Sequence, residues 1–169
     1  MKPLVLAFAV VMPAALDAET AADLQKKFVG SWRLVSIRRS VSYQNVKGKP
    51  SGIITYDNTG HMSVQIVLGE RPAFSDARAK ASDKEKAAAF DTYVAYYGTY
   101  AFEPENRIVI HHLEGSIVPS QIGRDNIRDF ELNGNRLTLS VANNGRGGRL
   151  TRKDTTAHLT QRASHWFDQ

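Results

Sequence analysis

Arg128 and the adjacent histidines His111 and His112 are the residues of this chain whose types and placement could do chemistry. In RIVIHHLEGS, strand alternation puts Val109, His111 and Leu113 on one face and Ile108, Ile110, His112 and Glu114 on the other, so one histidine of the pair points inward. In NIRDFEL, Arg128, Phe130 and Leu132 share the face with the larger apolar residues, against Ile127, Asp129 and Glu131. A buried guanidinium is costly unless it is paired with a carboxylate or meets an anionic or carbonyl group on a ligand. Three roles are open to it: an ion pair with Glu114 or Glu103 on a neighbouring strand, a position snorkelling at a barrel mouth, or contact with a ligand. The inward imidazole is either a satisfied core histidine or a group that can exchange a proton near neutral pH. Tyr93, Tyr96, Tyr97 and Tyr100 crowd one segment, with Tyr56 on an earlier one, and such rings suit core packing or a pocket that holds an apolar body by one polar group.

The elements that must position these residues are mostly strands. SWRLVSIRRSVSY alternates with Trp32, Leu34 and Ser36 on one face and Arg33, Val35 and Ile37 on the other, which predicts a long first strand. Strands follow at 52–56 and 61–68, joined at Asp57-Asn58-Thr59-Gly60, whose residue types suit a tight hairpin. Further strands are separated at Glu103-Pro104-Glu105-Asn106 and at Asn133-Gly134, and a last one lies near 150–161. Two helices are expected. ETAADLQKKF (19–28) has helical composition and ends before Gly30. Ser82 and Glu85 form a capping box for a second helix near 82–97, along which Phe90, Tyr93, Val94 and Tyr97 recur at helical spacing, with Gly98 as its C-terminal cap. About eight short antiparallel strands with one inserted helix predict a mainly β, closed antiparallel barrel, because closure removes the edges an open sheet would expose.

Composition narrows the function. The chain has 169 residues and no cysteine, which fits a single domain over 19–169 and removes disulfides, thiolate metal sites and cysteine nucleophiles. Lys2 followed by an apolar run from Leu4 to Ala15, with Ala18 before Glu19, reads as a signal peptide over 1–18, so the protein is expected to be exported, periplasmic or secreted. The net charge of +5 permits attraction to a membrane surface. Nucleic acid is not expected, because Arg33, Arg38, Arg39, Arg146, Arg149 and Arg152 are scattered over strands rather than interleaved with aromatics. No metal and no cofactor is expected: adjacent His111 and His112 face opposite ways and cannot share one ion, and no dinucleotide, P-loop or zinc-protease motif occurs. The glycine-rich NNGRGGR (143–149) reads as an exposed loop.

VGSWRLVS, GIITYDNTGHMSVQI, YVAYYGTYAFE, RIVIHHLEGSIVP, IRDFELNGNRLTLS and a closing LTQR, in this order over roughly 28–162, resemble the bacterial and fungal lipocalin-like domain family. The resemblance implies an antiparallel barrel around a small, mostly apolar molecule, with Gly30-Ser31-Trp32 similar to the signature that plugs one barrel end. It points at Trp32, Tyr56, Gly60, Tyr96, Gly98, Tyr100, His111, Pro119, Arg128 and Leu137. The expected function is binding of a small hydrophobic molecule with a polar or anionic head, with Tyr56, Tyr96, Tyr100, His111, Arg128 and Phe130 as ligand residues. The alternative is an isomerase, cyclase or hydrolase in the same cavity, with His111 as acid or base, Arg128 at a developing oxyanion and Tyr100 donating a hydrogen bond.

Overall fold

The structure, a computed structural model, describes residues 20–38, 46–141 and 156–161. The expected signal segment over 1–18, the far part of the expected first strand, the expected 143–149 loop and the beginning of the expected last strand lie outside the described residues.

Helix α1 (Ala21–Phe28) starts at Thr20, whose side chain accepts a hydrogen bond from the Asp23 amide, and it carries Lys26 and Lys27 in its last turn. The strands are β1 (Gly30–Arg38), β2 (Ser51–Tyr56), β3 (His61–Val67), β4 (Tyr93–Glu103), β5 (Ile108–Ser116), β6 (Asp125–Asn133), β7 (Arg136–Val141) and β8 (Thr156–Gln161), with helix α2 (Asp83–Asp91) between β3 and β4. Each strand pairs antiparallel with the next, and β8 returns to β1 through Leu34 opposite Leu159, so the eight strands close into a barrel. Among the described residues no helix is long and apolar enough to cross a membrane.

Two sequence expectations need correction. The second helix ends at Asp91, and Tyr93, Val94 and Tyr97 belong to a strand that pairs with β3 from Val67–Tyr93 to His61–Thr99. Rings and β-branched residues at spacing three and four fit a strand as well as a helix, and here pairing on both sides decides. Gly98 is therefore no helix cap: a Cβ there would collide with the His112 carbonyl, so glycine is required where β4 and β5 approach closely, beside a register shift between Tyr97 and Gly98. The second correction is in β1. A bulge between Leu34 and Ser36 turns Ser36 outward opposite His158 and brings Ile37 over the core opposite Ala157. Val35 is left 48% exposed.

The first end of the barrel, where β1 begins, is sealed by aromatic rings. Phe28 leaves α1 into the barrel and is fully buried, with ring centroids 4.5 Å from Tyr56, 4.6 Å from Phe102 and 5.3 Å from Phe130. Trp32 Nε1 donates to the Phe28 carbonyl at 2.8 Å, which satisfies a group at the helix terminus and fixes the plug to the first strand. Outside it, the Arg107 guanidinium lies 5.9 Å from the Phe130 ring centre.

Candidate functional site

The inward face of β5 settles which histidine is internal. His111 is fully buried, and among the described residues it is the one fully buried titratable side chain besides Tyr56. His112 faces outward, where its Nδ1 lies 2.7 Å from Asp125 Oδ1.

His111 stands between two phenols. Tyr56 Oη, from the end of β2, lies 2.8 Å from His111 Nε2, and Tyr96 Oη, from β4, lies 3.1 Å from Nδ1. Burial, with further contributions from the nearby Arg128 and His112 charges, lowers the imidazole pKa to about 3, so His111 is neutral at physiological pH and carries one N–H and one lone pair. Burial likewise raises the Tyr56 phenol well above its ordinary value. It raises Tyr96 too, against opposing attraction and hydrogen bonding from Arg128 and hydrogen bonding from Asn126. One phenol thus stands at each ring nitrogen, so the neutral imidazole donates to one of them through its N–H and accepts from the other through its lone pair.

Arg128 lies half-buried on β6, opposite Val109 of β5 and Val141 of β7. Its Nη1 donates to the Ile127 carbonyl at 3.2 Å, and it acts on Tyr96. A guanidinium has five N–H donors, and these contacts leave several of them available. Among the described residues no carboxylate comes within 4 Å of it. Glu103, one of the two expected partners, accepts from Asn106 instead.

Of the expected site residues, Tyr56, Tyr96, His111 and Arg128 thus come together. The other two sit toward the sealed end. Tyr100 Oη donates to the Asp57 carbonyl at 2.8 Å and ties β4 to the first hairpin, and Phe130 stacks on Phe102 with centroids 4.9 Å apart. Sequence reasoning missed Asn126. It pairs with His111 across the β5–β6 ladder and reaches Tyr96, and the signal was there, because Asn126 precedes Arg128 by two on the same strand face. Chemically, the group offers neutral hydrogen-bond donors and one positive charge in an apolar barrel. Tyr96, Asn126 and Arg128 are half-buried, and Tyr56 and His111 are fully buried. Among the described residues no three His, Asp or Glu side chains converge as metal ligands would.

Residues 29–162 match the family model described as a lipocalin-like domain. No curated protein matches the chain.

Proposed function

The chain belongs to the lipocalin-like domain family, and from that premise we propose that it binds a small, mostly apolar molecule whose anionic or carbonyl head meets Arg128, Tyr96 and Asn126. A lipocalin-like barrel suggests small-molecule binding in general, and an eight-stranded barrel is of the size that is either filled by its own side chains or holds one small ligand. The observation that carries the finer reading is Arg128, an inward guanidinium with no carboxylate near it among the described residues. A ligand oxygen would supply the acceptor that the protein withholds. Ile66, Val94 and Leu113 offer apolar wall for the rest of the molecule.

Catalysis by His111 is the weaker reading. A base with a pKa of about 3 accepts a proton poorly at neutral pH, and both ring nitrogens are already engaged by phenols. We assign it instead to holding Tyr96 in place.

The test pairs 11-(dansylamino)undecanoate with its neutral methyl ester. Arg128→Met should weaken the carboxylate about tenfold or more while leaving the ester within about twofold. Equal affinities of wild type and variant for the carboxylate would overturn the reading, and native mass spectrometry of protein from its own host should show a retained small molecule. Export belongs to the same proposal: the mature chain from periplasm or medium should begin at Glu19, and a chain that keeps Met1 and stays in the cytoplasm would refute it.

A further inference from the structure

Outside the barrel, the crossover from β3 to β4 forms a groove of about 610 Å³ that the interior site does not use. Arg71, Arg78 and Lys86 line it together with Phe74, Phe90 and Tyr93, and no carboxylate is among its lining residues. We propose that this groove is a second, exterior binding site for an organic anion with a flat apolar body, the acidic group lying among the three cations and the body on the aromatic rings.

The fold leaves these side chains unspent. α2 has no buried residue, and Phe90 in its last turn is 46% exposed although it is a large ring. The Arg71 guanidinium sits 4.9 Å from the centre of the Tyr93 ring, which holds one cation and one π face side by side in advance of any ligand. Glu85, on the same helix and lining the adjoining hollow, is occupied elsewhere. Glu85 accepts from the Ser75 amide through one oxygen and from the Ser82 amide and hydroxyl through the other, which fixes the preceding loop to the helix start and lowers its carboxyl pKa to about 2. Lys86 lies 3.8 Å from Asp83, but that carboxylate is fully exposed, and such a surface pair yields readily to a better-placed anion. A neighbouring hollow of about 200 Å³ shares Arg71, Phe74 and Ala89 with the groove and adds Pro72, Ala73 and Ala88 to the apolar surface, with Glu70 and Glu85 also on its wall, which keeps the acidic group of the ligand on the cationic side. Volumes of this order suit a compact organic molecule.

The experiment titrates the full chain with 1-pyrenesulfonate by calorimetry. Arg78→Glu combined with Lys86→Glu should weaken binding about tenfold or more, Phe90→Ala should weaken it several-fold, and raising salt from about 0.05 to about 0.5 M should weaken it for the wild type. These residues are on the surface, and circular dichroism checks that both variants fold. Arg128→Met should leave the affinity within about twofold, which separates this site from the interior one: if Arg128→Met alone abolishes binding, the probe occupies the barrel and the exterior site is refuted. Unchanged affinity in folded Arg78→Glu/Lys86→Glu protein refutes it equally. So does sedimentation with phosphatidylglycerol vesicles that depends on these cations while the soluble probe does not bind, since the surface would then serve a membrane.

Discussion

At one end of the barrel the strands are joined by the short connections 57–60, 104–107 and 134–135, while at the other they are joined across 39–50, 68–92, 117–124 and 142–155. The short connections carry their own local chemistry. Asp57 Oδ1 accepts from the amides of Thr59 and His61 at 2.8 Å, and Gly134 adopts φ 59° in a turn that any Cβ would strain. Behind them Phe28, Phe102 and Phe130 fill the interior. Toward the long connections the inward residues change to Tyr96, Asn126 and Arg128, half-buried and polar. The difference teaches that an apolar aromatic plug and a half-buried polar group occupy separate halves of one sheet, and His111 at the boundary presents neutral nitrogens to both phenols.

Substitutions should divide along the same boundary. The largest effect is expected at the plug: Phe28→Ala removes a fully buried ring from the aromatic cluster and should cost about 3–5 kcal/mol in urea unfolding, with ligand-head selectivity kept in whatever protein remains folded. Next comes the boundary. The unfolded chain protonates His111 near 6.5 and the folded one only near 3, so acid favours unfolding between those values, and stability falls by roughly 1.4 kcal/mol per pH unit, about 2 kcal/mol by pH 5. Above pH 6.5 this group adds no slope. His111→Gln should flatten that acid limb in urea midpoints measured from pH 7 to 5; a limb of unchanged steepness would mean that other groups produce it. Tyr100→Phe, which frees the Asp57 carbonyl, should cost about 1 kcal/mol and leave ligand affinity alone. Smallest in stability is Arg128→Met, expected within about 1 kcal/mol of wild type, because no ion pair among the described residues is broken. A large loss of stability there would show that the guanidinium belongs to the scaffold, and the contrast between the halves would collapse.

Much of the scaffold could be read in advance because its signals are local. Asp57 to Gly60 and Asn133-Gly134 announce their turns, and the alternation through Val109, His111 and Leu113 orients β5 correctly. Arg128 was legible as an inward cation for the same reason. What escaped depends on pairing with distant strands. Nothing in the order Phe90, Tyr93, Val94, Tyr97 distinguishes a helix from a strand until β3 and β5 flank it, and the β1 bulge exists only against β8. The division of the tyrosines is also tertiary: Tyr96 and Tyr100 lie on one strand, yet one hydroxyl reaches His111 and the other a hairpin carbonyl.

The meander order of the sheet has a kinetic consequence. Seven of the eight ladders join consecutive strands, and one alone, between β1 and β8, brings Trp32 beside Gln161. Zipping can run along the chain with modest entropic loss at each step, whereas shutting that last seam confines nearly the entire polypeptide at once. The seam is therefore the slow event on the way in, and amide exchange on Leu34 and Leu159 should report the first opening on the way out.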